Sequence, residues 1–301
     1  MNISYEHYRI FYYVAKLKSF TQAAAALMNS QPNITRSIKN LEQELDCPLF
    51  TRSNRRVSLT PEGEALYRHV SVAFAQLQAG EEEIRFGTGL EGGILRIAAT
   101  EVALRTILLP VLKEYRIHYP GVHIKLINDS TPAAIADLQS GMADLAIVTT
   151  PISIPDQIRK TTLCSVQEAA ICGSAFADLA QKTITLAELA RYPIISLGGQ
   201  TGSFRFYSQF FAEHMLAFQP DMEAATADQV LPMVKADLGI GFVSEVFLQE
   251  EALGKSIFKL NLEEKIPLRS ICLLMPTDHP SAPAARALER ELNRAASEMK
   301  K

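Results

Sequence analysis

The 301-residue chain contains no tryptophan and only four cysteines, Cys47, Cys164, Cys172 and Cys272. None of the four forms the C-x2-C pair that metal sites use, so the spacing offers no zinc framework. Cys164, Cys172 and Cys272 fall in or beside apolar, strand-like stretches, where free cysteine packs as a small hydrophobe. No basic cluster stands beside Cys164 or Cys172 to lower a thiol pKa, which argues against a redox switch between them. No apolar run approaches the ~18 residues of a membrane span. The first residues, Met1 to Tyr8, lack the basic start and apolar core of an export signal, so a cytoplasmic location is expected. Enzyme signatures are missing too: there is no G-x-S-x-G, H-E-x-x-H, P-loop or Rossmann glycine fingerprint. The six histidines, His7, His69, His118, His123, His214 and His279, are scattered without partners close in sequence. Only a constellation assembled from distant residues stays open as catalytic machinery.

A strong charge of one sign is also lacking. The net charge of −3 speaks against a wholly basic nucleic-acid binder, but the charge is unevenly spread. Residues 1–60 hold eight Lys and Arg against four Asp and Glu, a balance of +4 that leaves −7 for the remainder. A basic head on an acidic body suits a protein whose head alone touches phosphate. The length allows two or three domains with real cores, and the 48% apolar fraction is ordinary for a globular chain.

The head reads as three short helices and a hairpin. The first helix is expected from about Tyr5 to Lys16, with Tyr8, Phe11, Tyr12 and Ala15 inward. Ser19 and Gln22 fit a capping box that opens the second, whose Ala23 to Ala26 allow close packing. Met28-Asn29-Ser30 makes a turn. In the third helix Ile34, Ile38, Leu41 and Leu45 fall within about 60° of one another and predict a buried stripe. Pro32, Arg36, Lys39 and Gln43 face the other way, flanked by Asn33 and Asn40 on one side and Thr35 on the other. Pro32 is tolerated because first-turn amides have no intrahelical partner. Arg and Lys can donate to guanine or phosphate, and Gln and Asn can pair with adenine. A merely solvated helix face is the alternative; the capped helix before it and the basic hairpin after it favour a DNA groove. The hairpin, Leu49 to Leu59, carries Arg52, Arg55 and Arg56 near its tip, placed for phosphate or the minor groove.

Thr60 and Pro61 open a further helix. Its Leu66, Val70, Ala73, Leu77 and Ile84 follow spacings of a heptad seam interrupted at Gly80, which fits a dimer contact or packing on the chain's own head. Residues 87–93 read as a glycine-rich hinge. Beyond them strands and helices alternate to the end, an α/β pattern with mostly parallel sheets. In such sheets ligands sit at the carboxyl ends of strands. Thr100, then Ser130 and Thr131, then Thr149 and Thr150, then the stretch 198–203 with Gln200, Thr201 and Gly202 hold those positions. Hydroxyls and amides at several helix starts suit an anion such as a carboxylate or inorganic oxyanion, although each residue alone is equally an N-cap.

The segment Phe11 to Gly63 resembles the N-terminal domain of LysR-type transcriptional regulators. The matching positions are Ser19-Phe20, Ala23-Ala24, Leu27, Ser30-Gln31-Pro32, Arg36, Ile38, Leu41-Glu42, Leu49-Phe50, Arg52 and Thr60-Pro61-x-Gly63. Asp46-Cys47-Pro48 departs from the family, which usually has a glycine after the leucine. The body matches more weakly, at Tyr119-Pro-x-Val122, at Leu138 to Ile147 and at Val234 to Gly241. Asp237 stands where the family prefers glycine, and Ser244-Glu245 where proline is common.

The resemblance implies an α/β multidomain protein with a winged helix-turn-helix over 1–60 and a linker and dimerisation helix with hinge over 61–92. An effector-binding domain over 93–301 follows, similar to periplasmic binding proteins, with subdomains 93–162 plus 268–301 and 163–267. It puts Gln31, Pro32, Asn33, Thr35 and Arg36 in the major groove, beside Lys39, and Arg52, Arg55 and Arg56 on the backbone or minor groove. Effector contacts fall to Thr100, Ser130, Thr131, Thr149, Gln200, Thr201 and Gly202, and subunit pairing to Leu66, Val70 and Leu77. The expected partners are promoter DNA, further copies in a homodimer or homotetramer, RNA polymerase if the protein activates, and a small, anionic effector. No cofactor, metal, catalysis or membrane is expected. A solute-binding or catalytic α/β protein, and a regulator answering to a partner or redox change, remain the rival readings.

Overall fold

The computed structural model describes residues 3–53, 56–86, 90, 92–248, 255–277 and 281–299. The chain divides into two compact units, Met1–Glu82 and Glu83–Lys301.

The first unit carries α1 (Tyr5–Leu17), α2 (Phe20–Ala26), α3 (Gln31–Leu45), the antiparallel pair β1 (Phe50–Ser53) and β2 (Arg56–Leu59), and the start of α4 (Pro61–Phe86). Each short helix begins on a serine whose Oγ accepts a first-turn amide: Ser4 from Glu6, Ser19 from Gln22 at 3.2 Å, and Ser30 from Asn33 at 3.4 Å. The bond at Ser19 is the forward half of the expected capping box. Ile34, Ile38 and Leu41 are buried as the helical stripe requires, each contributing about 1.5–3 kcal/mol of burial, while Leu45 is half-buried.

The end of α3 and its junction with the wing are fixed by local geometry. Asp46 ends α3 in the left-handed conformation, φ 52°, the position that favours glycine and that aspartate tolerates better than most residues. The amide of Cys47 then closes on the Glu42 carbonyl at 3.1 Å. Glu42 itself turns its side chain to the wing, where Oε1 accepts the amides of Leu49 at 2.8 Å and Phe50 at 3.2 Å. Thr60 Oγ1 donates to the Pro48 carbonyl at 2.7 Å and accepts the Gly63 amide at 3.0 Å. Gly63 rests so closely on the Leu49 carbonyl that a Cβ there would overlap it.

The first turns of α4 belong to the head. Val70 and Phe74 are buried in its core, and Leu66 and Tyr67 pack on it. Tyr12 stacks on Phe74 at 4.8 Å and on Tyr67 at 6.0 Å, and Tyr5 stacks on Phe74 at 5.4 Å. This shows how the residues of the expected pairing seam are placed within one chain. Val70 is buried in the head core and Leu66 is half-buried against it, whereas Leu77 and Ile84 are 48% and 88% exposed.

The second unit is built on two five-stranded sheets. β3 (Gly93–Ala99) leads to α5 (Glu101–Ala103), which passes through a π-helical turn (Leu104–Leu108) into α6 (Leu109–His118). Pro110 falls in the first turn of α6. The π turn just before it lets the chain continue past a residue with no amide to donate. β4 (Val122–Asn128), α7 (Thr131–Gln139), β5 (Leu145–Thr149) and β6 (Ile158–Val166) follow, then β7 (Glu168–Cys172), β8 (Thr183–Ile184), α8 (Leu186–Leu189) and β9 (Ile194–Leu197). The rest is α9 (Gly202–Glu213), β10 (Met222–Ala224), α10 (Ala227–Lys235), β11 (Ile240–Ser244), β12 (Phe258–Lys259), β13 (Asn261–Leu262), β14 (Arg269–Pro276) and α11 (Pro283–Glu298).

The sheet orders are β4-β3-β5-β14-β6 and β10-β9-β11-β7-β12. In each, three neighbouring strands are parallel, but β14 runs antiparallel to β5 and β6, and β7 antiparallel to β11 and β12. The sheets are therefore mixed rather than mostly parallel, because strands entering from the two crossings run back along their neighbours. The first crossing is also later than the 162/163 boundary expected. β6 keeps its pairing with β14 through Val166, and the chain changes sheets at Gln167.

Asp237, in the glycine-favouring position after α10, adopts φ 59° and secures it with Oδ1 accepting the Ala175 amide at 2.8 Å. All four cysteines are free. Cys164 lies in one sheet and Cys172 in the other, and burial, with Asp237 adding to it, pushes the Cys172 thiol up to about 11. That is the opposite of an activated thiol.

Candidate nucleic-acid interface and ligand cavity

The outer face of α3 presents Gln31, Pro32, Asn33, Arg36 and Lys39 exposed, with Thr35 half-buried beside them. Gln31 Nε2 donates to Thr35 Oγ1 at 3.4 Å, and Asn33 Nδ2 donates to Asn29 Oδ1 at 3.1 Å. The amides on this face are thus aligned by neighbours before any base is met. Arg52 and Arg56 pair in the hairpin through their backbones, Arg52 opposite Val57 and Arg56 opposite Ser53. Arg55 lies outside the described residues. A groove of about 530 Å³ between α1, β2 and α4 is rimmed by Lys16, Lys18 and Arg68.

In the second unit the carboxyl ends of β3, β4, β5, β9 and β10 converge on one cavity of about 230 Å³. It collects Thr100, Ser130, Thr131, Thr149, Thr201 and Gly202, all expected from the sequence, and adds Ser203 and Thr226. Gln200 is the exception: it is exposed and does not line the cavity, because the turn before α9 points it to solvent. Three helices start here, α7, α9 and α10, so their unpaired first-turn amides and positive dipole ends share the space. Several hydroxyls are committed locally. Thr201 Oγ1 caps Phe204 at 3.1 Å and donates to the Gly198 carbonyl, and Thr131 Oγ1 donates to the Thr149 carbonyl at 3.0 Å. Ser130 and Thr226 make no side-chain cap, leaving both hydroxyls for other partners. Gly202 brings the two lobes together: a Cβ on it would stand 3.4 Å from Thr131 Oγ1.

Two acidic residues, Glu101 and Asp129, also line the cavity. Glu101 is held by Arg105 Nε at 2.7 Å and Asn128 Nδ2 at 2.6 Å, and Asp129 Oδ1 accepts the Ser130 amide at 2.7 Å. Behind the floor lies a group that sequence reasoning missed. Arg269, 1% exposed, forms a buried pair with Glu168 at 3.2 Å, and Glu168 Oε2 accepts the Tyr207 hydroxyl at 2.7 Å. Burial, then the Glu168 carboxylate, holds the Tyr207 hydroxyl well above its ordinary pKa. These residues lie on β14, β7 and α9, far apart in sequence and without a motif. An arginine opening an otherwise apolar strand was the one available signal. Among the described residues no cluster of three His, Cys, Asp or Glu is placed to hold a metal.

A helix-turn-helix with a wing, joined in one chain to a two-lobed α/β unit with a cavity at its strand ends, is the architecture of a DNA-binding regulator with a ligand-binding domain. The family model for the bacterial regulatory helix-turn-helix protein, lysR family, matches residues 5–64, and that for the LysR substrate binding domain matches residues 88–297. The chain belongs to the LysR family of transcriptional regulators. It is similar to the HTH-type transcriptional regulator CysB of Burkholderia cenocepacia, 28% identical over 86% of this chain and 88% of that one. It is likewise similar to the HTH-type transcriptional activator CmpR of a Synechocystis species, 26% identical over 87% and 86%. The solved structure of CbnR, a LysR family transcriptional regulator, shares the fold with a TM-score of 0.74 at 17% identity, covering 97% of this chain and 99% of that one. The chain is thus a DNA-binding regulator with a substrate-binding domain, not an enzyme. Among the described residues no helix is long and apolar enough to cross a membrane.

Proposed function

We propose that α3 reads promoter DNA through Gln31, Pro32, Asn33, Thr35, Arg36 and Lys39, with Arg52, Arg55 and Arg56 on the flanking backbone, and that a small anionic metabolite in the second unit alters that binding. The observation that carries the effector reading is the convergence of three helix starts and buried Thr100, Thr131 and Thr149 on one cavity. The two acidic residues narrow the class. Glu101 and Asp129 repel a ligand charged along its whole length, so the anionic group goes to the floor and hydroxyl or amino donors face these carboxylates. Two heads in a homodimer, or four in a homotetramer, read a site with dyad symmetry, and Leu77 and Ile84 provide apolar surface for that pairing. RNA polymerase is a partner if the protein activates, and the cytoplasm is its proposed location.

The test starts from DNA fragments selected by the full-length protein. Fluorescence anisotropy then follows binding to the selected site while small hydroxy and amino carboxylates and inorganic oxyanions are added. A ligand-dependent change in affinity or in the bound footprint supports the reading. Unchanged binding across the series, with no ligand heat by calorimetry, overturns it.

A further inference from the structure

Arg269 meets the cavity wall from behind. Its Nη2 donates to Thr149 Oγ1 at 2.9 Å and its Nη1 to Ser203 Oγ at 3.1 Å, and both hydroxyls line the cavity. The guanidinium is fixed on its other sides by the Glu168 carboxylate at 3.2 Å, the Thr150 carbonyl at 2.8 Å and the face of Phe206 at 5.0 Å. A hydroxyl has one proton and two lone pairs. Here the arginine takes a lone pair of each, and its positive charge turns each O–H dipole outward. Neither hydroxyl donates to another described residue, so both protons are left to the cavity.

From this we infer that Arg269 is a specificity-determining positioning residue, one that never touches the ligand. It turns Thr149 and Ser203 from hydroxyls of either polarity into two aligned donors, and so selects a ligand group that only accepts hydrogen bonds, a deprotonated carboxylate or sulfate-like oxyanion, over its neutral, proton-bearing isostere. Thr149 ends a strand of one lobe and Ser203 opens a helix of the other, so the same arginine sets donors from both lobes on one ligand group. The inference rests on reading the cavity as an anion site.

The probes are inorganic sulfate, and acetate against acetamide, titrated calorimetrically into the full-length protein. Thr149→Val and Ser203→Ala are expected to lower sulfate affinity about tenfold each, the scale of a lost hydrogen bond to a charged group. Arg269→Lys keeps a cation opposite Glu168 but loses the fork that reaches both hydroxyls. It is expected to weaken sulfate and to narrow the preference for acetate over acetamide. In a Thr149→Val, Ser203→Ala background it is expected to weaken sulfate no further, whereas a general loosening of the fold would add its full effect there. Equal sulfate affinity and equal acetate preference in wild type and Arg269→Lys overturn this inference and leave the anion site standing. So does an undiminished effect of Arg269→Lys in the double background. No sulfate or acetate binding by the wild type overturns the anion site itself, and this inference with it. If Arg269→Lys does not fold, the two hydroxyl variants decide: wild-type sulfate affinity in both overturns the inference, and a loss in both supports it.

Discussion

Replacing Glu42 with alanine isolates the side chain that, among the described residues, hydrogen-bonds α3 to the wing. In the native head its Oε1 accepts the amides of Leu49 and Phe50, at 2.8 and 3.2 Å. Hydrogen bonds to a charged group are worth about 1.5–3 kcal/mol each. Glu42 is half-buried, so water replaces part of that loss, and about 2–4 kcal/mol in total is the reasonable expectation. For a unit of this size each kcal/mol moves the midpoint by roughly 4–8 °C, so the head should melt about 8–32 °C earlier. Near-ultraviolet circular dichroism suits the assay. Five of the nine tyrosines lie in the head and tryptophan is absent, so the head contributes a large share of the tyrosine signal. Glu42→Gln keeps a neutral acceptor and should fall about midway. A head transition within about 2 °C of wild type in Glu42→Ala would refute the claim that the carboxylate holds the wing.

Other outcomes follow from named contacts. Arg36→Ala should weaken binding to the selected site by about 1–3 kcal/mol and relax base choice; an unchanged affinity and sequence preference removes Arg36 from the reading face. Gly63→Ala should destabilise the head by forcing a Cβ into the Leu49 carbonyl, and a melting curve matching wild type would contradict the packing. Leu77→Glu should lower the oligomer mass seen by light scattering, since Leu77 is exposed where Val70 is not; an unchanged mass excludes it from the pairing surface. Tyr115, buried and beside Tyr119, is pushed up to about 12 from an ordinary 10. The folded state therefore prefers its neutral form, a contribution of about 2–3 kcal/mol that is complete below pH 10 and lost as pH rises through 12. Tyr115→Phe should flatten that alkaline decline in urea titrations, and a decline as steep as wild type assigns it elsewhere.

Legibility followed the physics of each element. The α3 stripe could be read because helical period and burial coincide, and the cavity hydroxyls because strand ends and helix starts sit next to each other in sequence. The seam at Leu66 and Val70 stayed open in the sequence because a heptad pattern does not say whose core the face enters. Tyr12, Phe74 and Tyr67, joined by stacking rather than spacing, carry the start of α4 into the head. Gln200 lies outside the cavity lining because a turn residue next to a site shares its sequence context but not its direction. Glu42 and Arg269 were hidden for a common reason: each works through partners on other elements, and a long-range hydrogen bond leaves no periodic trace.

The most direct test of the central claim is a thermal-shift series on the full-length protein with small carboxylates and sulfur and phosphorus oxyanions, run in parallel on Thr100→Val and read against each protein's own ligand-free midpoint. The account predicts at least one anion that raises the wild-type midpoint and leaves that of Thr100→Val in place, since Thr100 lines the cavity floor. A series in which no anion moves the wild type, or in which both proteins shift alike, would contradict an anion site in this cavity.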